Sequence, residues 1–253
     1  MFRRLAVASI TLALAFALLA WWGSRMPLTL TIGSGPIALV QAGTMQTGLL
    51  NPMGLKMAAP STAGTALIAC FFGTPPTSAP TGFVRLVTAG GVAPITECWI
   101  WLNNPGGITA VNFGVGAATT TDAEMSEWSG VVSASSLEAS GTATSVAGTT
   151  ITPTATSAVL SSGDLAIAFW AQAIAAPGTV TFTSPTGWTR LADNGSTSAN
   201  GHSDIEYLLN PTINQTLAPT ITSSTATNPS SAAAVIVLKR APQAVDMSAF
   251  IAY

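Results

Sequence analysis

The chain has 253 residues, 48% of them apolar, only 7% charged, and a formal net charge of −2. A charged fraction far below the usual value of about 25% leaves little for exposed helix faces and points to strands and tight turns. The absence of any basic cluster beyond the N-terminus argues against nucleic-acid binding, and weak electrostatic self-repulsion tolerates close packing of subunits.

In chain order, Arg3 and Arg4 precede an uncharged apolar run from Leu5 to Trp22. About 18 residues at ~1.5 Å each span roughly 27 Å, close to the hydrocarbon thickness of a bilayer. Residues 1–25 are therefore expected to form one hydrophobic helix, either a signal peptide or a membrane anchor, with Trp21 and Trp22 at the interface. A start at Met26 is the third reading, and it would open a soluble β protein without export. Residues 26–63 are apolar and nearly uncharged. Leu28, Leu30 and Ile32 alternate as a strand would, and the remainder reads as an extended arm lying on its own sheets or on a neighbour's sheet edge.

Strands are predicted near 65–73, 82–88, 95–102, 108–114 and 123–132. Within 95–102, Trp99 and Trp101 share one face while Cys98, Ile100 and Leu102 share the other, the pattern of a strand covered on both sides. Residues 133–162 are Ser, Thr, Ala and Gly with little else, a linker by composition that leaves room for one strand over 149–159. Further strands are predicted near 164–171, 179–183, 187–192, 204–209, 216–222 and 232–239, followed by an apolar tail over 241–253. No helix is predicted after residue 25.

Three anchors recur in order. Ala66–Phe72 answers Leu165–Trp170. Pro80-Thr81-Gly82-Phe83-Val84-Arg85-Leu86 answers Pro185-Thr186-Gly187-Trp188-Thr189-Arg190-Leu191. Trp101-Leu102-Asn103-Asn104-Pro105 answers Tyr207-Leu208-Leu209-Asn210-Pro211. Such self-similarity predicts two homologous halves, near 64–140 and 163–240. Short strands about ten residues apart, with Gly, Pro and Asn between them, predict an all-β fold. The expected architecture is a two-sheet, jelly-roll-like β-sandwich over 64–240, either one fused sandwich or two in tandem, with the fused form favoured because five strands make a weak domain alone.

The Pro185-Thr186-Gly187-Trp188-Thr189 motif, the aromatic strands ending in Asn-Pro, and Glu127-Trp128-Ser129-Gly130-Val131 resemble a loose group of β-sandwich modules. Those modules carry Pro-x-Gly-Trp-Thr and Tyr/Trp-Ser-Gly-Val signatures and are found in phage tail or virion proteins and in bacterial secreted or surface proteins. The resemblance covers about 64–240 and implies an extracellular or virion structural role. It brings no catalytic residues with it.

Few constellations could carry chemistry. Glu124 and Glu127 are close carboxylates, but an i,i+3 pair on a strand points to opposite faces. His202, the sole histidine, lies in the polar run Gly201-His202-Ser203-Asp204 and reads as a solvated loop residue. Asp164, Asp193 and Asp204 are too scattered for a calcium loop. Trp99, Trp101, Trp128, Trp170 and Trp188 could stack on sugars, but aromatics at strand positions are more often core. Arg85 and Arg190 each follow an aromatic residue by two, suggesting cation–π stacking or turn capping. Cys70 and Cys98 are candidates for a disulfide if their strands are neighbours, with two buried thiols as the alternative. Asn194 and Asn214 head glycosylation sequons. No cofactor or metal set is read from the sequence. The expected function is a non-enzymatic, self-associating structural subunit of an extracellular or virion-surface assembly, with any membrane contact made through residues 1–25. The alternative is a surface-displayed carbohydrate-binding or adhesion module.

Overall fold

The computed structural model describes residues 35–48, 50–90, 94–116, 121–145, 148–173, 180–194, 201–224 and 230–242. The expected N-terminal helix, the Leu28–Ile32 strand and nearly all of the 241–253 tail lie outside them. The described residues contain seventeen strands and no helix: β1 (Ala38–Ala42), β2 (Gln46–Gly48), β3 (Met53–Lys56), β4 (Ala66–Gly73), β5 (Pro76–Ser78), β6 (Val84–Ala89), β7 (Ile95–Trp101), β8 (Ala110–Val115), β9 (Thr121–Ser129), β10 (Leu137–Ser145), β11 (Thr150–Ile151), β12 (Leu165–Gln172), β13 (Phe182–Thr183), β14 (Thr189–Asp193), β15 (His202–Leu209), β16 (Ile221–Ser223) and β17 (Ser231–Leu238). The fold is all-β, with every named pairing antiparallel.

Four sheets form. One large sheet has the order β1-β9-β4-β7-β6, with β2 also paired to β9, and the other has β10-β17-β12-β15-β14. Two small sheets run β3-β8-β5 and β11-β16-β13. Strand periodicity explains how they stack, because successive side chains leave opposite faces. On β4, Ile68, Cys70 and Phe72 enter one core with Ile167, Phe169 and Ala171 of β12. Leu67, Ala69 and Phe71 enter a second core with Met53, Leu55 and Phe113 of the first small sheet. On β12, Ala166, Ala168 and Trp170 enter a third core with Ile151, Phe182 and Ile221 of the second small sheet. The large sheets thus face each other, with Phe72 6.3 Å from Phe169 and Trp128 5.1 Å from Tyr207 between ring centroids. Each large sheet carries a small one on its outer face. β4 and β12 are covered on both sides, which is why they read as unbroken apolar runs.

The two large sheets match in detail. Position for position, β4, β6, β7 and β9 correspond to β12, β14, β15 and β17, and β1 corresponds to β10. A bulge breaks β6 between Arg85 and Val87, and another breaks β14 between Arg190 and Ala192. A bulge also interrupts β1 between Leu39 and Gln41, and β10 between Leu137 and Ala139. Asn103 and Asn210, which follow β7 and β15, both adopt positive φ, at 51° and 55°. The described part of the 26–63 stretch, read as an arm, supplies β1, β2 and β3, all paired within the chain. The Ser/Thr-rich 133–162 stretch, read as a linker, contains β10 and β11. Its small residues serve a close approach: a Cβ at Gly141 would collide with the Thr154 carbonyl.

The Pro-Thr-Gly-aromatic motif forms the same turn twice. The Phe83 N–H donates to the Pro80 carbonyl at 3.2 Å, and the Trp188 N–H to the Pro185 carbonyl at 3.2 Å. Gly82 (φ +100°) and Gly187 (φ +85°) hold the third turn position, which demands positive φ in a type II turn. Their surroundings differ. A Cβ on Gly82 would run into the Trp101 ring, whereas one on Gly187 would meet nothing within 4 Å. Gly82→Ala is therefore expected to cost about 3 kcal/mol, from backbone strain plus overpacking, and Gly187→Ala about 1 kcal/mol. Urea titrations of the two variants compare these costs, and equal losses would contradict the packing argument.

Candidate functional site

Cys70 and Cys98 are directly opposed on β4 and β7, with Cα atoms 4.1 Å apart, and are joined by a disulfide. Both are buried in the core between the large sheets. The bond closes a segment with a separation of 28 residues, so replacing both cysteines with Ala is expected to lower stability by about 3 kcal/mol in the chain-entropy model. Denaturation of the double variant measures this.

The turn that opens β6 and β14 delivers an arginine to each strand, and each arginine meets a buried carboxylate on the neighbouring strand. Arg85 Nη1 lies 3.6 Å from Glu97 Oε2. Glu97 also accepts hydrogen bonds from Thr88 Oγ1 (2.9 Å) and Trp99 Nε1 (2.6 Å). At the matching place on the other large sheet, Arg190 Nη2 lies 2.6 Å from Asp204 Oδ2. The structure thus assigns ion pairing to the two arginines, where cation–π stacking or turn capping was expected. The sequence does not show this match, because Glu97 follows its arginine by 12 residues and Asp204 by 14; it appears only in the strand register, where Glu97 pairs with Thr88 and Asp204 with Asp193.

The second site is more acidic than the first. Arg190 also lies 3.3 Å from Asp193 and 3.7 Å from Glu206, and its Nη2 donates to the Phe182 carbonyl at 2.9 Å. His202 Nε2 is 2.9 Å from Asp193 Oδ1, and the Phe182 ring lies 4.2 Å from the imidazole. Burial pushes the Asp204 carboxyl up to about 8, with Glu206 and Asp193 adding to the rise and Arg190 opposing it. Burial likewise raises Glu206, against a hydrogen bond from Ser184 and the charge of Arg190.

His202 opens β15 and is 2% exposed, so it is a buried strand residue rather than a solvated loop residue. Its neighbour Ser203 points to the opposite face. There Ser203 Oγ donates to Asp122 Oδ2 at 3.1 Å, and Asn194 Nδ2 donates to the same atom at 2.5 Å. Burial raises the Asp122 carboxyl, against hydrogen bonds from Thr47, Ser203 and Asn194. Asp122, Gln172, His202 and Ser203 line a cavity of about 20 Å³ together with Phe72, Gly73, Pro94, Ala171 and Gly201. That volume admits one water molecule. Because Ser203 and His202 face apart, no serine–histidine pair forms across this site. Among the described residues, no group of three or more His, Cys, Asp or Glu is placed to hold a metal.

No family model matches the chain, and no curated protein or solved structure is similar to it. The remaining residues singled out from the sequence separate clearly. Trp128 and Trp170 are fully buried. Trp99 and Trp101 pack at the edge of the core beneath the first small sheet, against Phe113 and Phe83 respectively. Trp188 sits edge-on to Trp170 at 6.5 Å. These rings are engaged with one another and do not converge on a shared open platform. Of the three aspartates considered for calcium, Asp193 and Asp204 are paired in register, while Asp164 lies at the far end of β12, with the Arg240 N–H donating to it at 2.9 Å. Glu124 and Glu127 do point to opposite faces. Glu124 enters the core between the large sheets beside Cys70, and burial raises its carboxyl well above the ordinary range, against one hydrogen bond from the Gly43 N–H. Glu127 accepts from Gln41 Nε2 (2.6 Å), the Thr62 N–H (2.7 Å) and Thr65 Oγ1 (2.8 Å).

Proposed function

We propose that the chain is a duplicated, double-layered β-sandwich serving as a non-enzymatic structural subunit of an extracellular or virion-surface assembly. The halves run from β1 to β9 and from β10 to β17, wider than the repeat anchors alone delimit. Paired bulges, paired positive-φ asparagines and the repeated turn support descent from one ancestral unit. The observation that carries the structural role is the use made of the notable side chains. Among the described residues the tryptophans fill or flank the cores, and the arginine motif pins edge strands. The outer strands β1, β6, β10 and β14 meanwhile contain no lysine, the residue commonly used to discourage strand-to-strand association, and rely on a bulge in each and on Arg85, Glu138, Arg190 and Asp193 instead. Self-association through such edges needs no catalytic apparatus. Sedimentation of the purified chain over a range of concentrations tests this. Species larger than a monomer, growing with concentration, are expected, and a monomer throughout would overturn the reading.

A further inference from the structure

The arginine site recurs on the two large sheets with one difference, and that difference is a charge imbalance. On the first, Arg85 faces the single carboxylate of Glu97, and the neighbouring positions hold Thr88, Trp99 and Ile95. On the second, the corresponding positions hold Asp193, Glu206 and His202 around Arg190 and Asp204. Three carboxylates therefore share one guanidinium. With all three ionised and the imidazole neutral, the cluster would carry −3 + 1 = −2, although Asp204 and Glu206 are both 0% exposed. Charges buried in this way are strongly disfavoured unless neutralised.

Among the described residues of the strands packed on the cluster, no further cation faces Asp204 and Glu206. β12, β13 and β16 contain no charged residue, and from β13 the cluster receives only the Phe182 carbonyl and ring. Asp122 lies on the other face of β15 and is itself acidic. The cheapest neutralising charge is a proton held between Asp204 and Glu206, the two fully buried carboxyls.

We propose that this cluster is a pH-operated latch: β14 stays docked on β15, with Arg190 also bonded to the Phe182 carbonyl of β13, while the cluster keeps its shared proton, and it releases when that proton is lost. β14 is an edge strand, so it can leave without dismantling the sheet. Its departure would uncover the backbone donors and acceptors of β15, a surface suited to addition of another strand. The elevated affinity of Asp204 for its proton, which half-titrates at about pH 8, puts the release within reach of ordinary solution conditions. The first large sheet provides an internal control, since β6 is held by a balanced pair.

Hydrogen exchange on the full chain tests the latch, with rates corrected for the intrinsic effect of pH. Between pH 6 and pH 9, protection of 189–193 should fall at least about tenfold relative to 84–89, one pKa unit's worth of discrimination. Parallel behaviour of β14 and β6 across that range would overturn the proposal in the wild-type protein alone. Asp204→Asn should flatten the fall, and Glu206→Gln, which also removes one carboxylate, should reduce it. A folded Asp204→Asn protein that keeps the full pH dependence would equally overturn it.

Discussion

Stability should rise by an amount on the order of 5 kcal/mol as the pH is lowered from 9 to 5, the reverse of the behaviour of proteins whose carboxylates are held in salt bridges. Asp122, Glu124, Asp164, Asp204 and Glu206 are all shifted upward, and burial is the leading cause in each. The folded state therefore keeps protons that the unfolded chain releases near pH 4. Where the native state binds more protons than the unfolded state, the free energy of unfolding falls as pH rises. This contribution is fully present below the unfolded values and is lost as pH climbs through the folded ones, which for Asp204 means up to about 8. One pKa unit corresponds to about 1.4 kcal/mol, and the contact of Arg190 with solvent reduces the share of Asp204 to about 2–3 kcal/mol. Glu124, enclosed in the core without a cation, should supply much of the rest. Urea midpoints at pH 5, 7 and 8.5 measure the trend. A midpoint that increases with pH would show that these groups are solvated or paired more fully than the geometry allows. Glu124→Gln should remove part of the slope, because an amide has no proton to lose.

The strands legible from the amino-acid order are those whose two faces are both apolar or whose turns are marked by Pro, Gly and Asn. β4, β7, β12 and β17 are expected within one or two residues of where they occur, because burial on both sides leaves no polar alternation to confuse the pattern. β10 was hidden because its sequence, Leu-Glu-Ala-Ser-Gly-Thr-Ala-Thr-Ser, has the composition of a linker. Its small side chains reflect the close passage of residue 154 and not an absence of structure. The positional match between the outer strands β1 and β10 was hidden as well. β1 and β10 correspond in position and bulge, yet Ala-Leu-Val-Gln-Ala and the start of β10 share almost no side-chain chemistry. The buried acidic cluster was illegible for a different cause. His202 reads as a loop residue, and Asp204 and Glu206 read as polar positions of a strand over 204–209; only pairing with β14 and β12 at long sequence distance reveals that they share a covered face.

Replacing Glu127 should be far more damaging than replacing Glu124, although the two lie on one strand and are equally buried. Glu127→Val would remove the acceptor shared by Gln41 on β1, the Thr62 N–H and the Thr65 hydroxyl; Gln41 keeps the Ala59 carbonyl and Thr65 the Thr62 carbonyl, so the Thr62 N–H bears the largest loss. A buried donor left without an acceptor costs about 1–3 kcal/mol and a lost hydrogen bond about 1 kcal/mol, so a total loss of about 3 kcal/mol is expected, read from thermal or urea unfolding. Val237 occupies the matching position of β17, where its partner across the pair is Ala139 in the place of Gln41. The second large sheet thus carries an apolar pair where the first carries a polar one. Gln41→Ala combined with Glu127→Val should consequently cost less than the sum of the two single changes, by about 1 kcal/mol, because the Gln41–Glu127 hydrogen bond is lost once and not twice, while Thr62 and Thr65 lose their acceptor in either background. Strict additivity would mean that the two residues act separately, and that correspondence in the backbone does not extend to side-chain exchange between the halves. A measurable surplus would show that the pairing rules of one half can be written into the other.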